Sequence, residues 1–333
     1  MAGKPGEFEI ISRCFAPLVG DAGSFALTDD AAVLQIPPGR ELVVTTDCIV
    51  AGVHFLVGDP PNLVAAKALG VNLSDLAAMG AVPKVYTLAA AWPETTDITW
   101  IEKFAAGLKT EQERYDITLC GGDTVATPGP MTLTITAAGT VETDRALRRN
   151  GARPGDKVFV SGTIGDAALG LQCLKDGAGD LSVPLANFLI DRYRRPRPRV
   201  GLGTKLQGLA TAVIDISDGL VADMTHIANA SSVAAVIELD QIPLSEAARA
   251  VSANSKGGFV EFLTGGDDYE LLFTAPGSAV PAFSELAEEL DLAITQIGII
   301  KNHEGTGPNV QVADGFGHEI TLPKTGYTHF SDQ

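Results

Sequence analysis

Ala212-Val-Ile-Asp-Ile-Ser-Asp-Gly219 is an apolar run broken by carboxylates. Val213 to Ile216 reads as a short strand, and Asp218-Gly219 opens a helix running to about Asn229. A strand feeding directly into a helix is the building unit of α/β folds. The run also contains a problem. An ionised carboxylate near a core, as at Asp215, is costly unless it is paired or binds a metal.

Outward from this stretch the same problem recurs. Asp47 stands in Val43-Val-Thr-Thr-Asp-Cys-Ile-Val50, and Asp123 follows Ile117-Thr-Leu-Cys-Gly-Gly122. Asp29-Asp30 lead into Ala31-Ala-Val-Leu34, and Asp75 lies on Val71-Asn-Leu-Ser-Asp-Leu-Ala-Ala-Met79. Too few basic residues lie nearby to pair them all. Several divalent cations would resolve the conflict. Oxygen-only ligands point to magnesium, which usually arrives with substrate phosphates.

The rest of the chain reads as two α/β domains. Glu7 to Phe15 is a short first helix and Asp21 to Thr28 a loop. Strands are expected over Ala31 to Ile36, Leu42 to Val50, Val85 to Ala91, Ile117 to Leu119 and Met131 to Val141. Helices are expected over Asn62 to Ala78 and Ile98 to Tyr115, the second burying Ile101, Phe104, Ala105 and Leu108. The polar segment Arg148 to Asp156 marks the domain boundary, giving 1–147 and 148–333. Val158 to Ser161 is then a strand and Ile164 to Lys175 a helix. Arg192 to Arg199 holds five arginines among prolines and reads as a solvated linker in preference to a phosphate site. Phe262-Leu263 and Tyr269 to Phe273 flank a Gly-Gly turn. Leu119-Cys-Gly-Gly-Asp-Thr124 resembles Leu263-Thr-Gly-Gly-Asp-Asp268, a faint internal repeat.

Composition excludes several classes. The 333 residues are 45% hydrophobic and 20% charged, ordinary for a globular protein, and the length favours two domains. A net charge of −17 disfavours nucleic-acid binding. No apolar run reaches the roughly 20 residues of a membrane span, and the start lacks a signal-peptide core, so a soluble cytoplasmic protein is expected. The four cysteines form no C-x-x-C pair, and Cys48 and Cys120 read as small buried residues. A P-loop, a dinucleotide fingerprint, H-E-x-x-H, G-x-S-x-G and a kinase H-R-D are all missing.

The acidic set itself carries the chemistry. Thr45, Thr46 and Asp47 offer two hydroxyls and a carboxylate on an extended chain. Asn72 and Asp75 share a helix face. Asp215 and Asp218 bracket a strand-to-helix turn, where Ser217 and a carboxylate sit beside helix-start N–H groups. The two Gly-Gly-Asp turns let backbone approach a phosphate closely. Arg148 or Arg149 could neutralise phosphate charge.

At this point the chain resembles the thiamine-monophosphate kinases, a branch of the superfamily that includes aminoimidazole ribonucleotide synthetase. The matching segments are Thr28-Asp-Asp-Ala-Ala-Val-Leu34, Thr45-Thr-Asp-Cys-Ile-Val-Ala-Gly-Val-His-Phe55, Lys67 to Ala81, Gly121-Gly-Asp-Thr124, Ile214-Asp-Ile-Ser-Asp-Gly-Leu220, Gly265-Gly-Asp-Asp-Tyr-Glu-Leu271 and Gly326-Tyr-Thr-His-Phe330. The resemblance implies an N-terminal domain with a mixed or antiparallel sheet and flanking helices, dimerising through its β-strands. It implies a C-terminal α/β domain that completes the active site. It implies several magnesium ions on Asp30, Thr45, Thr46, Asp47, Asp75, Asp123, Asp215 and Asp218. It implies ATP contacts from Gly122, Asp123, Arg149 and Ser217, and thiamine-phosphate contacts from His54, Asp267 and Tyr327. The chain departs from the family at Ala26-Leu27-Thr28, where Gly-x-Gly is usual, and at Asp267, where glutamate is common.

The reaction so implied moves the γ-phosphoryl of ATP to thiamine monophosphate. The acceptor phosphate is already largely ionised at pH 7, with a second pKa near ~6, so no general base is needed. Metal-bound Asp47, Asp75 and Asp123 would carry the chemistry. Two other readings use the same acidic set: an ATP-dependent ligase or synthetase of the superfamily, and a non-catalytic nucleotide-binding relative.

Overall fold

The computed structural model describes residues 6–254, 262–303, 305, 309–322 and 324–328. Met1 to Pro5 and the His329-Phe330 end of the C-terminal motif lie outside the described residues. The chain forms two compact units, one of Met1–Leu76 and Ala81–Asp144 and one of Ala77–Gly80 and Arg145–Gln333. The structure thus parts the chain at Asp144/Arg145, where the sequence suggested 147/148.

In the first unit α1 (Glu7–Ile10) continues into a π-helical turn, Ile11–Phe15. Then come β1 (Arg40–Val50), α2 (Pro61–Ala78), β2 (Val82–Pro93), α3 (Ile98–Tyr115), β3 (Thr118–Thr127) and β4 (Thr132–Glu142). The sheet order is β1-β4-β2-β3. β4 runs antiparallel to β1 and β2, while β2 and β3 are parallel, so the sheet is mixed. α3 begins where Asp97 caps it, its carboxylate accepting from Trp100 N–H at 2.7 Å. It ends at Asp116 in the left-handed region. Its buried stripe holds Ile101, Phe104, Ala105 and Leu108 as the spacing predicts. Trp92 of β2 packs edge-on against Trp100 and Phe104, at 5.8 and 5.7 Å between ring centroids.

Three sequence expectations change here. Ala31 to Ile36 forms no strand, and Val33, Leu34 and Ile36 are exposed. β-propensity does not make a strand without a neighbouring ladder, and Pro37-Pro38 removes two donors from the end of the run. Asp21 to Thr28 is not a plain loop but two short 3₁₀ turns merged at a kink within Ala22–Leu27. Phe25, Ala26 and Leu27 all lie in the left-handed region, at φ 47, 53 and 61°. Side chains bearing a Cβ thus hold a conformation suited to glycine. Cys48 is exposed, because β1 alternates and sets Leu42, Val44, Thr46 and Cys48 on an open face. Cys120 is buried as expected.

The second unit contains β5 (Lys157–Ser161), α4 (Asp166–Asp176), α5 (Val183–Arg194), α6 (Val200–Lys205), β6 (Ala212–Asp215), α7 (Leu220–Ser231), β7 (Val233–Glu238), α8 (Glu246–Asn254), β8 (Leu271–Ala275), α9 (Val280–Leu290), β9 (Ile294–Asn302) and β10 (Val310–Ala313). Its six-stranded sheet has the order β10-β7-β9-β5-β8-β6. Among the described residues only the β7/β10 pair of this sheet is parallel. Alternate strand residues serve two cores. Val158, Ile214 and Leu272 pack with Leu220, Met224 and Ile227 of α7. Phe159, Val213 and Phe273 pack with Leu202 of α6 and Phe283 of α9. Burial on both faces explains why these strands read as continuous apolar runs.

The arginine-rich stretch is not a solvated linker. Arg192 sits on α5, buried, and meets Glu270 at 2.8 Å. Arg199 also binds Glu270, donating from Nε at 2.6 Å. Asp166, Asp268 and Glu270 are all buried in this unit, and buried carboxylates demand nearby positive charge.

Candidate active site

In the first unit β1 and α2 bring Thr45, Asp47, Asn72 and Asp75 together. Thr45 Oγ1 donates to Asp75 Oδ2, and Asp47 N–H donates to Asn72 Oδ1 at 3.1 Å. Asn72 is itself fixed by donating to the Ala68 carbonyl at 3.0 Å. Asn72 and Asp75 reach β1 together because they are three residues apart on α2. Burial pushes the Asp47 carboxyl up to about 7, helped by the charge of Asp75 and a hydrogen bond with it. Among the described residues the carboxyl groups of this pair meet the Thr45 hydroxyl and each other, with no lysine or arginine, while the Asn72 amide holds the Asp47 backbone.

A second group lies on β3. A cavity of about 140 Å³ is lined by Asp29, Asp30, Gly122 and Asp123, with Phe15 and Leu27 among its apolar walls. The first Gly-Gly-Asp is not a turn, contrary to the sequence reading. It runs inside β3, with Gly121, Gly122 and Asp123 opposite Thr87, Leu88 and Ala89. A Cβ on Gly122 would stand 2.0 Å from the Leu88 carbonyl oxygen, so only glycine lets β3 close onto β2 there.

The sheet separates these two groups within one chain. Asp47 shares a cross-strand row with Ile135, Leu88 and Gly122, and Asp123 shares the next row with Ala89, Thr134 and Cys48. Adjacent rows face opposite sides of a sheet, and β1 and β3 are its opposite edges. Thr46 likewise points away from Thr45 and Asp47. Its hydroxyl lies 3.0 Å from that of Thr136. His54, in the turn after β1, accepts from Val50 N–H at its Nδ1 at 3.0 Å. The neutral ring therefore carries its proton on Nε2.

In the second unit the Asp215–Gly219 turn is bonded on both sides. Ser217, Asp218 and Gly219 each donate their N–H to Asp223 Oδ2 at 3.1 Å. The Ile216, Ser217 and Asp218 carbonyls accept from the N–H groups of Tyr269, Asp267 and Tyr327 at 2.8, 2.8 and 2.9 Å. This turn thus gathers Ser217, Asp218, Asp267 and Tyr327, with Asp215 buried at the end of β6. The second Gly-Gly-Asp is a true turn. Gly266 has φ 72°, and a Cβ there would come 2.4 Å from the Ser217 carbonyl oxygen. Asp267 and Tyr269 also have positive φ, 65 and 49°. The helix-start N–H groups expected beside Ser217 are already taken by Asp223. Burial, then Asp215 and Asp218, push the Asp223 carboxyl up to about 8.

Arg149 is exposed on the segment before β5, and its guanidinium has no partner among the described residues. Sequence reasoning missed Asp223, whose signal was an acid in the first turn of a helix that already opens with two others. It also missed Glu270 and Arg192. Among the described residues, Asp218, Asp223 and His226 form the one group of three whose ligand atoms lie within 4.8 Å of one another.

Residues 28–141 match the AIR synthase related protein, N-terminal domain, and residues 153–311 the C-terminal domain of the same family. A thiamine-monophosphate kinase of Caulobacter vibrioides is 39% identical over 332 residues, 98% of this chain and 92% of the relative. The crystal structure of thiamine-monophosphate kinase from Stenotrophomonas maltophilia is 44% identical with a TM-score of 0.79, covering 86% of this chain and 89% of that one. The structure of AaThiL complexed with AMPPCP and TMP is 34% identical with a TM-score of 0.77 over 91% of each chain. Both halves and nearly the whole length agree, and the chain belongs to the AIR synthase related family, in its thiamine-monophosphate kinase branch.

Proposed function

We propose that this chain transfers the γ-phosphoryl group of ATP to thiamine monophosphate, giving thiamine diphosphate and ADP. The observation that carries the reading is the Asp47–Asp75 pair, held by Thr45 and Asn72 with no basic partner among the described residues, in a chain whose relatives are thiamine-monophosphate kinases. Such a pair wants a cation from outside the protein. All its donors are oxygens, which fits magnesium. Asp30 and Asp123 at the β3 cavity, and Asp215 and Asp218 with Ser217 in the second unit, are the other acidic oxygen groups that fit it. Bound magnesium supplies charge screening and stabilises the transferring group during in-line displacement.

The chain's own residues then do three things. The carboxylates fix where positive charge collects, so that two polyanions can meet in an acidic protein. Gly122 and Ser217 offer close backbone approach and a hydroxyl to the nucleotide. Asp267 and Tyr327 bring a carboxylate and an aromatic ring suited to the thiazolium cation, and His54 stands at the turn after β1 as the third substrate contact. No side chain needs to remove a proton, because the attacking phosphate oxygen is already ionised.

The first sheet is proposed to pair with a second copy. β1 is an eleven-residue edge strand whose open face leaves Leu42 43% and Val44 56% exposed. Unpaired edges of this kind are templates for association. Light scattering should return a dimer.

The deciding experiment is turnover of ATP and thiamine monophosphate with magnesium, scored by direct detection of thiamine diphosphate. Product at about 1 s⁻¹ is expected. ATP consumption only with a different acceptor would move the reading to a ligase or synthetase.

A further inference from the structure

We infer that Asp223 is a positioning residue that turns the Asp215–Gly219 segment into a cation site. The inference rests on the reading of Ser217 and Asp218 as metal and nucleotide ligands. A strand-to-helix turn normally offers its N–H groups outward and attracts anions. Here the opposite holds. Asp223, 2% exposed, reaches back from the first turn of α7 and takes all three N–H groups of Ser217, Asp218 and Gly219 on one oxygen. The carbonyls on the other side are taken by the 265–270 loop and by Tyr327. With its backbone spent in both directions, the turn has its side chains to offer, the Asp218 carboxylate and the Ser217 hydroxyl foremost.

Charge argues the same way. Asp223 stands close enough to Asp215 and Asp218 to feel both. A third carboxylate there is a poor choice for packing alone, since an asparagine of the same shape would avoid the repulsion. Its value lies in its geometry, one oxygen gathering three donors at once. Direct ligation with His226 is disfavoured, because the oxygen nearest the turn already accepts three hydrogen bonds.

The test uses the full-length protein with Mn²⁺ alone as probe, bound and free ion being separated by electron paramagnetic resonance. Asp218→Asn defines which of the bound ions belong to the turn. Asp223→Asn and Asp223→Ala should weaken that same fraction by about 10-fold or more, the range seen when a group orienting a ligand is removed. His226→Gln should leave it unchanged. Thermal unfolding is followed in parallel, and if Asp223→Ala does not fold, Asp223→Asn decides. A lowered Tm with Mn²⁺ binding equal to wild type would reduce Asp223 to a helix cap and overturn the proposal. Equal loss in Asp223→Asn and His226→Gln would make Asp223 a ligand and overturn it too. Unchanged binding in Asp218→Asn would remove the metal reading of the turn, and the proposal with it. Loss in Asp218→Asn without loss in either Asp223 variant would sink the proposal alone.

Discussion

Two carboxylate groups, the Glu270 group of the second unit and the Asp47–Asp75 pair of the first, are treated in opposite ways. In the second unit, Glu270 is wholly buried and takes Arg192, Arg199 and the Ser161 hydroxyl. Asp268 receives the Gly165 N–H on both oxygens, at 3.0 and 2.9 Å, although burial still holds its carboxyl well above the ordinary range. Asp166 takes Thr163 and Ser245. In the first unit, the Asp47 and Asp75 carboxyls meet, among the described residues, only the Thr45 hydroxyl and each other. The difference separates two uses of one residue type. Acids matched by the chain's own cations and donors hold the fold. Acids left facing each other are where the proposed cations would sit.

The largest test of that contrast is Arg192→Met, which leaves Glu270 buried with one of its two cations gone. Removing one member of a buried pair costs about 3–5 kcal/mol, and urea unfolding should show a loss of that order. Asp47→Asn should do the reverse. The turnover number should fall at least about 100-fold, as when a group stabilising developing charge is lost. The Tm of the metal-free protein should hold or rise, because the repulsion from Asp75 is gone. A matching fall in Tm would erase the distinction between the two carboxylate groups.

The pH dependence sharpens the same point. The folded-state pKa of Asp47, about 7, lies above its ordinary value of 3.8. Between those values the native state binds the extra proton, so stability falls as pH rises through the window. The metal-free protein should therefore lose Tm from pH 4 to pH 7. Magnesium should restore part of it at pH 7, and Asp47→Asn should flatten the slope. The smallest effect concerns the left-handed run. Ala26→Gly relieves a strained φ but frees the unfolded chain, leaving a gain under about 1 kcal/mol by calorimetry.

Much of the fold was legible because it follows period. The α3 stripe of Ile101, Phe104 and Leu108 is written in residue order. Ala31 to Ile36 was misread because a strand is made by its neighbour, which propensity does not reveal. The first Gly-Gly-Asp stayed in a strand because Gly122 allows β3 to close on β2, where two glycines in a row normally announce a turn. Arg192 was hidden because its partner lies 78 residues away. In the candidate site the acidic residue types stood out in sequence, but their grouping did not. The pleat sends Thr45 and Thr46 to opposite faces, and the strand order puts Asp47 and Asp123 at opposite edges. Asp223 was invisible because its work is done on backbone groups.

The open face of β1 has a practical consequence. Burial pushes the thiols of Cys14 and Cys120 up, and Cys173 is partly covered and pushed up as well. Cys48 is the exposed one of the four. A thiol-directed dye should therefore label one position first, since access and thiolate fraction govern the rate. That position adjoins Asp47 in sequence and shares the cross-strand row of Asp123. The chain thus carries a built-in optical reporter. Its labelling half-time would slow when a second copy covers the face, and would follow that event in real time without any engineered probe.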